Sequence, residues 1–349
     1  MKADPKQLFV HEPDCQLRCA RFSLDGRVLF AGGLDASVRR WLVKKDKLEE
    51  LPALKGHNGW ISRIVVHPTH ALISADTWGQ LRFTDFEDDK PKVLWKHDEA
   101  HDGWIRDVAV SVDGKRIATC GRDRALRVWS REGELLHEHN ESEDLLAVTF
   151  APDGHSVWFG NEKGSIQCLG LIEGELVAQV DGSAFYKYDR IQDIGGLQGL
   201  VWYGESLVAY GTKPQNGATV RGVPSIQLYD VKSGEMTKSI EVDTNRFGFI
   251  HDLEMHPEGF LMGAASGTPG SGLLFFLRPE EDQPFYKHTK VSNLHSVTMH
   301  PDGRRLAFTA TNRRSNGNGR RLDENGKYPA NNSPIHVFEI PGVPIKWDV

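Results

Sequence analysis

At 349 residues the chain is long for one ordinary hydrophobic core, and length alone sets two domains as the starting expectation. A formal net charge of −6 with 26% charged residues argues against a bulk nucleic-acid binder, which is ordinarily basic. The amino-terminal stretch lacks the apolar run of a secretory signal and no segment is long and apolar enough for a membrane span, so no membrane association is expected and the cytoplasm is the expected location.

In chain order, the first organised segment runs from Cys19 to Trp41. It has an alternating apolar run, an Asp25-Gly26 turn, a second apolar run, a polar turn at Asp35 and a third run closing on Trp41. Alternation by two around Asp-Gly turns reads as strand, hairpin, strand, turn, strand. The same order returns from Arg106 to Trp129, with Asp113-Gly114 in the hairpin and Asp123 in the polar turn. It returns in shortened form from Leu146 to Gly160 around Asp153-Gly154. Later copies keep the first hairpin, at Glu258-Gly259 and Asp302-Gly303, and Thr69-His70 reads as a degraded version. One equivalent position can be followed through Phe22, Val66, Val110, Phe150, Gly196, Met255 and Met299. A period of about 40–45 residues of short strands is that of a propeller blade, and a closed array of such units escapes the two-domain expectation.

The expected fold is therefore all-β: a seven-bladed β-propeller of four-stranded antiparallel blades filling the chain as one domain, residues 1–349. The blades are expected near residues 14–54, 57–97, 101–139, 141–180, 185–242, 247–290 and 293–340. A ring must join its ends or leave an open sheet edge. The strand at residues 6–11 is expected to complete the last blade, with the segment Ile345–Trp347 as its competitor. Cys15, Cys19, Cys120 and Cys168 form no CxxC pair and read as reduced packing thiols.

In these features the chain resembles the WD-repeat family. The best copy, residues 100–130, has Ala100-His101 where the family has Gly-His, then Thr119, Asp123 and Trp129. By resemblance, His101, Thr119, Asp123 and Trp129 form a structural hydrogen-bond network. An imidazole between a carboxylate and a hydroxyl, with an indole N–H on that hydroxyl, satisfies its own donor count. A catalytic triad is the less economical reading of the same three residue types. The other blades depart from the pattern. The second has His57 and Ser74 but Trp78 at the Asp position and Thr84 at the Trp position. The first has Pro13 for His, and the fourth lacks both Asp and Trp.

Functional expectations centre on loops, which carry binding residues on rigid scaffolds. Insertions at residues 211–224, 266–272 and 312–334, with the aromatic connection Phe185–Arg190, place a crescent on one face of blades five to seven. The candidates for partner contact are Tyr186, Tyr188, Arg190, Arg221, Arg313, Arg314, Arg320 and Arg321, joined by Trp60, Trp104 and Arg122, since Tyr, Trp and Arg are enriched in hot spots. Trp60 and Trp104 can be contact residues or wedges between blades, and the wedge is the favoured reading. His251, Asp252 and His295 form a weak alternative metal cluster, read primarily as like residues placed side by side by the repeat; no metal and no cofactor are expected. Without a GxSxG elbow or a Gly-rich phosphate loop, the chain reads as a non-catalytic scaffold that binds proteins or peptides, not nucleic acid, and works within a larger complex. A propeller enzyme of metal-dependent hydrolase or lactonase type, with its site at the channel mouth, is the alternative.

Overall fold

A computed structural model describes residues 4–86, 90–189, 191–215, 221–267, 270–312 and 331–341. Seven antiparallel sheets form a ring, and in blades one to four and six the strands run in sequence order from the axis outward. The innermost strands are Leu17–Phe22, Ile61–Val66, Ile105–Val110, Leu145–Phe150, Gln192–Tyr203, Gly248–His256 and Leu294–Met299. Each touches the next, and the last returns to the first, where Ser296 Oγ accepts the Ala20 N–H at 2.8 Å. Blade five carries a short fifth strand, Tyr186–Asp189, paired to the start of its long inner strand.

The ring closes as expected for the N-terminal strand. Lys6–His11 pairs antiparallel with Ile335–Glu339, so the outer strand of blade seven comes from the start of the chain. Residues 345–347, the competing candidate, lie outside the described residues. Leu8 and Phe9 pack against Leu17, Leu29, Trp41, Ala307, Ile335 and Val337, so the closing strand also covers the core between blades seven and one. Inner and middle strands are almost wholly buried while outer strands alternate, as in Leu135–Asn140. This pattern follows from stacking sheets face to face around an axis.

The hairpin between first and second strands explains the repeated glycine. Gly26, Gly114, Gly154, Gly259 and Gly303 all sit at φ between 67° and 78°. His70 takes φ 59° at the degraded copy, a backbone conformation that histidine tolerates better than most residues. Blade five has its copy at Gly204, φ 57°. This corrects the register read from sequence. Phe22 pairs with Leu29, Val66 with Leu72 and Met299 with Leu306; in blade five the matching pair is Trp202 with Leu207, so Trp202 and not Gly196 is the equivalent residue. The inner strand of that blade spans 12 residues, twice the usual length, and the extra turn-like Gly195-Gly196 near its start disguised the phase.

Three histidines join successive hairpins. His67 Nε2 donates to Gly114 O at 2.7 Å, His256 Nε2 to Gly303 O at 3.0 Å, and His300 Nε2 to Gly26 O at 3.0 Å. The last bond crosses the seam of the ring. A Cβ at Gly26 would fall 2.1 Å from His300 Nε2, so this glycine serves both the positive φ and the close approach.

Candidate functional site

On the face where second-to-third strand turns meet inter-blade loops, buried polar networks hold the turns. In blade three, Trp129 Nε1 donates to Thr119 Oγ1 at 3.0 Å, and Thr119 Oγ1 lies 2.7 Å from His101 Nε2. His101 Nδ1 lies 2.8 Å from Asp123 Oδ1, and Arg127 donates to Asp123 Oδ2 at 2.7 Å. One neutral tautomer satisfies the whole chain: Thr O–H to Nε2, Nδ1–H to the carboxylate. Burial lowers the His101 pKa against the pull of Asp123. Burial alone would raise Asp123, but the hydrogen bonds from His101 and Arg127 outweigh it and hold the carboxyl well below its usual range. Thr119 is fully buried, which leaves its hydroxyl no approach for a substrate carbonyl.

Blade two holds the same network by a route the sequence reading missed. His57 Nε2 lies 2.7 Å from Ser74 Oγ, as in blade three, but its Nδ1 meets Asp76 Oδ2 at 3.1 Å. The expected position, Trp78, contributes only its backbone N–H and not its side chain. Asp76 also accepts the N–H groups of Asn58, Gly59, Trp78 and Gln80. The register shows why. Asp76 pairs with Ile61 as Gly121 pairs with Ile105, so the carboxylate comes from the strand end instead of the turn. A Cβ at Gly121 would lie 2.8 Å from His101 Nδ1 and 3.0 Å from Asp123 Oδ1. Glycine there makes room for a turn carboxylate, and an aspartate there replaces it. Blade four uses Asn161 at this position, its Oδ1 accepting Lys163 N and Ser165 N at 3.0 Å each.

Above these networks lies an exposed aromatic surface. Trp60 is 53% exposed and so is not a wedge between blades, Trp104 is half-buried, and Trp78 beside them is 69% exposed. With Leu34, Ala36, Asn58 and Thr77 they line an open cavity of about 450 Å³ across blades one to three. Arg122 stands exposed in the adjacent turn, 3.7 Å from Asp144. Of the crescent residues, Tyr188 is 63% exposed, Tyr186 O–H donates to Asp193, and Arg221 lies over the Phe247 ring at 4.5 Å. Arg190, Arg313, Arg314, Arg320 and Arg321 lie outside the described residues.

The axis shows a second pattern. Every inner strand has a β-bulge near its start, and the seven extra residues are Arg18, Ser62, Arg106, Leu146, Gln198, His251 and His295. A bulge leaves one residue without a ladder partner and re-aims it. Here all seven converge on the channel mouth and, with Trp104 and Arg63, line a cavity of about 240 Å³. Below it, Asp107 receives Arg63 Nε at 2.7 Å and Val148 N at 3.0 Å, and Asp252 receives Arg21 at 2.8 and 3.0 Å and Val297 N at 3.1 Å. Asp252 is thus held by Arg21 and not by the histidines. His251 Nε2 meets Ser266 Oγ, and His295 Nε2 meets Thr311 Oγ1 at 2.9 Å. Among the described residues no three His, Cys, Asp or Glu side chains assemble to hold a metal, which corrects the His251, Asp252 and His295 cluster.

A ring of seven four-stranded antiparallel blades, closed by its first strand, defines the chain as a seven-bladed β-propeller. The profile of the WD domain, G-beta repeat family matches residues 5–41 and 93–130, which hold the three inner strands of blades one and three and the outer strand of the blade before each. These two stretches match WD repeats, and the propeller agrees with that repeat family. It is 23% identical over 235 residues to eukaryotic translation initiation factor 3 subunit I of Caenorhabditis elegans, covering 64% of this chain and 65% of that protein. It is 28% identical over 152 residues to WD repeat-containing protein 55 of Mus musculus, 43% of this chain and 38% of that protein. It is 32% identical over 84 residues to the small ribosomal subunit protein RACK1 of Candida albicans, 23% of this chain and 26% of that protein. The chain thus matches less than two thirds of the length of each of these relatives.

Proposed function

We propose that this protein is a non-catalytic interaction scaffold that docks other proteins on its loop face, with the groove of Trp60, Trp78 and Trp104 as the anchor. The observation that carries the reading is the exposure of two tryptophans side by side above hydrogen-bonded turn networks. Large apolar rings left in water on a rigid frame mark interaction sites. Tyr188 of blade five, 63% exposed, is a further aromatic candidate for partner contact. Two of the relatives are named as subunits of larger assemblies, which supports a place for this chain in a cytoplasmic complex. A protein or peptide is the partner class; the acidic overall charge speaks against nucleic acid.

The test compares affinity capture by wild type, by Trp60→Ala/Trp78→Ala, and by a variant with shortened loops at 212–223 and 313–333, each shown to be folded. A stoichiometric protein retained by wild type and lost by the tryptophan variant supports the groove. Loss only on loop shortening moves the anchor to the crescent. Retention of nothing by any of the three refutes the scaffold reading and turns attention to hydrolase chemistry at the channel mouth.

A further inference from the structure

The channel mouth holds cationic groups that the fold does not use. Arg18 and Arg106 make no ion pair or hydrogen bond with any described residue. Their guanidinium groups instead face the Trp104 ring, with centroid distances of 5.0 and 3.8 Å. Arg106 Nε is buried without a partner, and so is the hydroxyl of Ser62, a residue only 7% exposed. Other arginines near the axis are paired: Arg21 with Asp252 and Arg63 with Asp107. Among the cavity-lining residues there is no carboxylate. Asp144 and Glu162 act on Arg106 only through space, without an ion pair, and Asp144 lies 3.7 Å from Arg122 instead.

We infer that the channel mouth is a binding site for a phosphate group, whose oxygens are taken by Arg18, Arg106 and Ser62. Two unpaired guanidinium groups call for a dianion; a carboxylate would neutralise only one. Arginine presents planar, forked donors that match phosphate oxygens. Trp104 holds both guanidinium groups against one ring and so presets their positions. Gln198 lines the same cavity and adds an amide. Burial holds His251 down to about 3 and His295 down to about 4, so both rings are neutral at pH 7 and the positive charge belongs to the arginines. The cavity of about 240 Å³ is smaller than the usual pocket of about 300–1,000 Å³ for a drug-sized ligand. It has room for a phosphate carried on one side chain or for free phosphate. The site shares Trp104 with the proposed docking groove but not Trp60 or Trp78, and the variants that test each reading leave Trp104 in place, so either reading can fail without the other.

The experiment is isothermal titration of the full chain with inorganic phosphate and with a short phosphoserine peptide and its unphosphorylated twin, at constant ionic strength set with chloride. Wild type is expected to bind a phosphorylated probe at least tenfold tighter than the unphosphorylated peptide. Arg18→Gln/Arg106→Gln is expected to lose that difference while its melting temperature stays at or above that of wild type, since two like charges are removed. Arg18→Gln alone, which leaves the more buried arginine in place, serves if the double variant fails to fold, and is expected to weaken binding about tenfold. Response to the peptide but not to free phosphate identifies a phosphorylated side chain as the source; response to free phosphate alone identifies the small ion. No phosphate-dependent response in wild type, or an equal response in the arginine variants, overturns the inference.

Discussion

Asp76→Ala is the perturbation that most directly tests how the blades are held. The wild-type carboxylate is fully buried and accepts five donors: His57 Nδ1 and the backbone N–H groups of Asn58, Gly59, Trp78 and Gln80, at 2.8 to 3.1 Å. The Asn58 and Trp78 bonds lie nearer the surface, where water can replace the carboxylate. His57, Gly59 and Gln80 are buried, and each unpaired buried donor costs about 1–3 kcal/mol. Allowing for relaxation and non-additivity, we expect a loss of about 3–5 kcal/mol, the range for breaking a buried charged network. With an unfolding entropy of about 2.1 cal/mol/K per residue, a ring of this length melting as one unit would lose roughly 4–7 °C. Scanning calorimetry and guanidinium titration measure it, with the exposed Asp46→Ala as a control expected within about 0.5 kcal/mol. A double-mutant cycle with His57→Ala should show coupling of about 1–3 kcal/mol. A loss below about 1 kcal/mol for Asp76→Ala would refute the claim that a strand-end aspartate does the work of the turn aspartate.

Two further predictions concern the ring as a whole. Deleting residues 1–11 removes the outer strand of blade seven and uncovers Ile335–Glu339; we expect a lower melting temperature and concentration-dependent aggregation by light scattering, and an unchanged melting temperature would sink the closure argument. Burial lowers the pKa of His57, His101 and His256, of His295 and His336 to about 4, and of His251 to about 3, each below the unfolded value near 6.5. The unfolded chain therefore takes up protons first as pH falls, so this part of the stability is full above pH 6.5 and is lost progressively between about 6.5 and 3; denaturation midpoints that stay flat from pH 7 to 4 would contradict it.

Strand alternation and the Asp-Gly turns made the ring readable, because both follow from local geometry: the pleat sets a period of two and the hairpin needs a positive φ. The reading failed where pairing register carries the information. Gly196 was aligned with Phe22 because the longer inner strand of blade five shifts the phase, and only the true turn glycine, Gly204, restores it. Asp76 was overlooked because its carboxylate enters from the strand end; the available clue was an aspartate two residues beyond Ser74 in a blade that keeps its histidine. The convergence of Arg18, Ser62, Arg106, Leu146, Gln198, His251 and His295 could not be seen at all, since a bulge is visible only once both strands are paired. His251 and His295 were noticed as neighbours, and that was correct as geometry, while Asp252 next to them in sequence points toward Arg21.

The seam of the ring has a consequence for how the protein is made. Leu17 N–H is received by Ser333 Oγ across 316 residues of chain, and the core of blade one includes Ala307, Ile335 and Val337. As the chain leaves the ribosome, blade one emerges first yet keeps one apolar flank uncovered until synthesis reaches the end of blade seven. Blades two to six can each settle on a finished neighbour meanwhile. Contacts of such long separation are slow to form, and a waiting apolar flank invites association with other chains. The earliest sheet to be translated is therefore the latest to be fully enclosed, and the interval between the two events is the period when this protein most depends on being shielded.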